Sequence, residues 1–130
     1  MFSFNHVTIS VENLDETLEF YKKFGFVEYK EYHDDNVDIV MIQLEKMILE
    51  IFHYKEKEEL PEHSKELVKD LKTIGNKHFA LGVKDINKAK EFVEKNNLCK
   101  SEIIINKGRL GKPYFFIKDP NGILMEIIEE

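Results

Sequence analysis

Two glutamates sit where strands usually carry only apolar side chains. Glu50 lies inside "KMILEIF", Lys46–Phe52, and Glu126 lies inside "GILMEII", Gly122–Ile128. An ionised carboxylate buried in such company costs several kcal/mol unless a cation or a set of donors accompanies it. Neither Met47–Phe52 nor Ile123–Ile128 contains a lysine or arginine to serve. Two histidines complete the pattern: His6 opens "HVTISV" and His78 opens "HFALGV". Two imidazoles and two carboxylates form a donor set for one divalent metal, whose charge would offset that of the glutamates.

Strand side chains alternate between faces, so position decides which residues share a side. His6, Thr8 and Ser10 fall on one face of their run, with Val7, Ile9 and Val11 on the other. His78, Ala80 and Gly82 likewise oppose Phe79, Leu81 and Val83. The bulky faces call for a covering helix. Small residues beside each histidine leave room that a core strand would fill. Taken singly, each of the four is an ordinary strand residue; their matching places in two repeats make them a set.

The repeat itself sets "NHVTISVENLDETLEFYKKFGF" above "KHFALGVKDINKAKEFVEKNNL". His6 then falls on His78, Val11 on Val83, Glu19 on Glu91, Phe20 on Phe92 and Lys23 on Lys95. Each half starts with a strand, His6–Val11 or His78–Val83. Leu14, Thr17, Leu18 and Tyr21 are at helical spacing, as are Ile86, Ala89, Phe92 and Val93. Asn13 and Asp85 are suited to cap those helices, with Glu16 completing a capping box, and Gly25 and Asn96–Asn97 to end them. Three strands follow in each half: 26–32, 38–44 and 47–52, then 100–105, 114–118 and 123–128, the last after a "DPNG" turn. The expected architecture is α+β, a βαβββ unit written twice within one domain, 1–130. Its parts are a first module of about 1–54, a connector of about 54–76 with a helical turn or two over 66–72, and a second module of about 77–130.

Composition narrows the partners. The chain has 130 residues, 34% of them charged, and a net charge of −6, which argues against a nucleic-acid backbone as partner. No apolar run approaches the roughly 20 residues of a membrane helix and no signal peptide opens the sequence, so a cytoplasmic location is expected. Cys99 is the single cysteine, read as a small buried residue without redox or zinc-thiolate function. His33, His53 and His63 read as surface residues; His53 faces away from Glu50 in a regular strand. Phe20, Phe24, Phe26, Phe92 and Phe115 read as core. "NKGRLGKP", 106–113, is a glycine-rich loop whose Lys107, Arg109 and Lys112 could cover a carboxylate-bearing substrate.

With these stretches, "LEIF" and "YFFIKDPNGILMEII" included, the chain resembles the vicinal oxygen chelate superfamily, which includes glyoxalase I, bleomycin-resistance proteins and extradiol dioxygenases. The resemblance covers essentially the whole chain and implies paired βαβββ modules forming a cupped mixed sheet. It places the family's metal ligands on His6, Glu50, His78 and Glu126. A His, Glu, His, Glu set is similar to that of glyoxalase I, the lactoylglutathione lyase of methylglyoxal detoxification. Ser10 and Tyr54 stand where that enzyme has an arginine and an asparagine that hold the glutathione tail, so the resemblance leaves the thiol open.

The resemblance further implies a divalent metal, Ni, Co, Mn or Zn, and proton abstraction next to a carbonyl. Glu126 would be the base, with Glu50 its partner across the substrate. The alternatives are a methylmalonyl-CoA epimerase-like enzyme, a thiol transferase acting on an antibiotic, and a metal-free binder of the bleomycin-resistance kind. A homodimer is expected, its cavity formed within one chain or across two.

Overall fold

Each sequence repeat folds as its own unit, Met1–Glu59 and Leu60–Glu130, in a computed structural model that describes residues 1–130. In the first unit β1, Val7–Ser10, leads into α1, Leu14–Lys23. Asn13 Oδ1 accepts the Glu16 backbone N–H at 3.0 Å and starts that helix. Gly25, at φ 100°, ends it through a bond from its N–H to Lys22 O. Strands β2, Val27–His33, β3, Val37–Leu44, and β4, Met47–Tyr54, complete a four-stranded sheet in the order β1-β4-β3-β2.

The pairing of β1 with β4 is parallel and the others are antiparallel. One face of this sheet supplies Ile9, Val40, Ile42, Leu49 and Ile51 to the core, while α1 supplies Thr17, Phe20 and Tyr21. Burying each large apolar side chain contributes about 1.5–3 kcal/mol. Thr17 is tolerated there because its hydroxyl donates to Asn13 O at 2.6 Å.

The second unit opens with a 3₁₀ turn, Glu62–Lys65, and a short helix, α2, Leu67–Lys72. Lys118 Nζ donates to Lys65 O at 2.8 Å, and Lys77 Nζ donates to Asp70 O at 2.7 Å, so this segment is tied to the strands that follow it. Then come β5, Phe79–Val83, α3, Ile86–Lys95, β6, Asn106–Lys107, β7, Pro113–Lys118, and β8, Leu124–Glu129, with sheet order β5-β8-β7-β6. Again the first and last strands pair in parallel. Asp85 Oδ1 accepts from the backbone of Asn87 and Lys88, and Glu129 Oε2 accepts from Ile86 N, which fixes the start of α3 beside β8.

Three sequence expectations fail here. The strand expected at 100–105 does not form; regular pairing begins only at Asn106, opposite Tyr114. Ile103 drops into the core at 3% exposure while Ile104 stays 62% exposed, and the irregular backbone between them keeps the segment off the sheet edge. Phe92 is exposed, unlike its counterpart Phe20, because α3 buries the Ile86 and Val93 side of the helix instead. Cys99 is half-buried rather than buried, its thiol donating to Ser101 O.

Candidate functional site

Register decides which side chains meet. In the first unit Thr8 lies directly across from Glu50, and Met41 flanks Glu50 on its other side. His6 stands two residues before Thr8 and therefore leans over the same face. Its Nε2 is 3.5 Å from Glu50 Oε1, and the Thr8 hydroxyl donates to that same oxygen at 2.9 Å. Ile39 and Phe52 form the next cross-strand pair on this face, and Tyr54 stacks on Phe52 with centroids 5.8 Å apart. The glutamate is only 16% exposed, so its charge is largely cut off from water.

The second unit repeats the arrangement. Ala80 lies across from Glu126, with Phe116 on the other side. His78 Nε2 is 3.1 Å from Glu126 Oε2, and both side chains are 18% exposed. Phe116 meets the His78 ring edge-on at 4.7 Å between centroids, which holds the imidazole upright over Glu126. Two backbone N–H groups, of Asn121 and Ile123, donate to the buried Asp119 carboxylate, and Gly122 adopts φ 82°. That turn delivers β8, and Glu126 with it, in the register that faces His78.

The donor chemistry suits a divalent metal. Ligand atoms held about 2.1 Å from one metal are about 3 Å apart at right angles and about 3.4 Å apart in a tetrahedron. The two His–Glu pairs, at 3.1 and 3.5 Å, lie near that spacing, the second measured to the Glu50 oxygen that also accepts from Thr8. His78 Nδ1, the ring nitrogen other than the one facing Glu126, is buried without a hydrogen-bond partner in the chain. No group of three or more His, Cys, Asp or Glu side chains that could hold a metal ion is gathered in the chain. Each unit holds one His–Glu pair.

The hairpin cations are placed differently. Lys107 pairs in register with Pro113, which puts it on the face opposite Tyr114, Phe116 and Glu126. Arg109 and Lys112 flank a turn closed by Gly111 N–H donating to Gly108 O, and all three cations are exposed. His53 points away from Glu50, as its odd separation predicts, and binds Asp38 instead. Asp38 accepts from His33 at 2.6 Å with one oxygen and meets His53 at 3.2 Å with the other. That three-residue row is invisible to a search for spacing because its members lie on three strands. The Thr8–Glu50 bond was missed for the same reason.

Residues 3–127 match the Glyoxalase/Bleomycin resistance protein/Dioxygenase superfamily, and the chain belongs to that family. Among solved structures it is similar to a glyoxalase family protein from Enterococcus faecalis, at 25% identity and a TM-score of 0.81, covering 98% of this chain and 97% of that one. It is also similar in fold to the trypanothione-dependent glyoxalase I of Leishmania major, at 19% identity and TM-score 0.71, over 100% and 88% of the two chains. A genomically encoded fosfomycin resistance protein from Listeria monocytogenes shares the fold at 12% identity and TM-score 0.70, over 100% and 94%. Among curated protein sequences none matches it. No helix is long and apolar enough to cross a membrane.

Proposed function

We propose that the protein is a divalent-metal-dependent lyase or isomerase of the glyoxalase I type, acting on a small thiol adduct of a 2-oxoaldehyde. One observation carries this reading: a His–Glu pair stands at the same register position of both repeats, at ligand spacing. His6, Glu50, His78 and Glu126 are the proposed ligands of one Ni, Co, Mn or Zn ion per chain. Bound there, the metal supplies Lewis acidity to the oxygens of the substrate.

The remaining work belongs to side chains. Glu126 takes the proton from the carbon beside the carbonyl and returns it to the neighbouring carbon, a transfer over a short distance that a positioned carboxylate performs. Glu50 flanks the substrate from the other side. Tyr54 stacked on Phe52 stands where a glutathione-binding asparagine is found in glyoxalase I, which favours a thiol other than glutathione. Arg109 and Lys112, on the exposed turn of the second unit, are proposed to hold the carboxylate of that thiol; Lys107, on the opposite face of the sheet, is not. The functional unit is proposed to be a homodimer.

The family resemblance leaves a second reading, transfer of a thiol to an antibiotic at the same ligands. Metal analysis of protein purified without chelators tests the common part of both; a metal content near zero, not restored by added Ni²⁺ or Co²⁺, overturns it. Methylglyoxal assayed with a panel of low-mass thiols, beside fosfomycin and methylmalonyl-CoA, separates the reactions.

A further inference from the structure

Because the units are repeats, a position where they differ inside the matched site is informative. Thr8 in the first unit and Ala80 in the second occupy the same place, directly across the parallel strand pair from Glu50 and Glu126. The Thr8 hydroxyl donates to Glu50 Oε1 at 2.9 Å, and His6 approaches that same oxygen, so Oε2 is the oxygen left without a protein partner. Ala80 has only a methyl group to offer. Glu126 is held by His78 alone, through Oε2. Thr8 is exposed, so no packing forces its hydroxyl into place; the hydrogen bond selects its orientation.

We propose that Thr8 is a positioning residue that makes Glu50 a stationary metal ligand, while Ala80 leaves Glu126 free to turn between the metal and the substrate. The inference rests on the metal reading above and deepens it. A carboxylate anchored through one oxygen cannot rotate about its terminal bond without breaking that bond, and so presents its other oxygen in a single direction. Partners of this kind, one step removed from a metal, set ligand orientation and affinity. A carboxylate that must carry a proton from one carbon to the next needs the opposite property. The two glutamates, alike in sequence, are thereby divided in role by the residue opposite each.

The test is a titration of metal-free protein with Co²⁺, read from its visible absorption and by competition with a chelator, beside steady-state kinetics. Thr8→Val, which suits a strand and exchanges the hydroxyl for a methyl of similar size, is expected to weaken Co²⁺ binding about 10–100-fold and to alter the absorption bands. Thr8→Ser is expected to restore both. Ala80→Thr is expected to lower kcat about tenfold with KM and Co²⁺ affinity near those of the wild type, because it tethers the moving carboxylate. Circular dichroism and Tm confirm that each variant is folded, and Thr8→Ala replaces Thr8→Val if that variant is not. Wild-type Co²⁺ affinity in a folded variant lacking the hydroxyl overturns the role of Thr8 alone. Failure of the wild-type protein to bind Co²⁺ overturns the metal reading together with it.

Discussion

Glu126 Oε2 lies 3.1 Å from His78 Nε2, and nothing else in the protein holds that carboxylate. The proposed function makes this carboxylate both a metal ligand and the base. Replacing it with glutamine keeps an oxygen for the metal and removes the basic site. Glu126→Gln is expected to lower kcat about 10²–10⁴-fold while most of the metal stays bound. Kinetics and metal content measured on one preparation check this. Full turnover in the variant would show that the base lies elsewhere.

A pH effect follows from the row His33, Asp38, His53. The hydrogen bond to Asp38, with a further one to Glu31, raises the His33 pKa above the ordinary 6.5. Asp38 is lowered below 3.8, chiefly by the hydrogen bond from His33 and then by that from His53. The stability tied to His33 is therefore complete below pH 6.5 and fades as pH rises through its raised value. The share tied to Asp38 is present above pH 3.8 and fades as pH falls through its lowered value. Comparing Tm of the wild type with that of His33→Gln should show the widest gap in mildly acidic buffer and almost none in alkaline buffer. A gap that widens on the alkaline side contradicts the assignment.

Asp119 is 5% exposed and accepts backbone N–H groups from Asn121 and Ile123. Asp119→Ala leaves those donors without their acceptor and is expected to cost about 2–3 kcal/mol. Asp119→Asn, which keeps one acceptor oxygen, should cost less. Urea unfolding of the three proteins measures the ranking.

The hairpin cations give a prediction that separates binding from chemistry. If Arg109 and Lys112 hold a substrate carboxylate, replacing both with alanine raises KM about tenfold and leaves kcat near its starting value. An equal loss in kcat would place them in the chemical step. No change in either would return the hairpin to an ordinary exposed turn.

The βαβββ repeat was legible in sequence because alternation and helical spacing are local signals, and the pairing of His6 with Glu50 and of His78 with Glu126 was suggested because each recurs at its match. Register then showed that each histidine and its glutamate share a face, which alternation could state only as a condition. What stayed hidden depends on contacts between strands. Asp38 is unremarkable until β2 and β4 bring His33 and His53 to either side of it. Thr8 and Ala80 looked like interchangeable small residues until the parallel pairing set each across from a glutamate. Ile103 and Ile104 read as one strand because both are β-branched, yet only Ile103 found space in the core.

In both units the parallel pair joins the first strand of the module to its last, so β4 and β8 each enter an interior place in the sheet, beside strands made earlier. Joining segments so far apart in the chain carries a loop-closure entropy cost that local pairings avoid. His6 meets Glu50, and His78 meets Glu126, only through that parallel pairing. A half-folded module therefore presents each imidazole without its carboxylate partner.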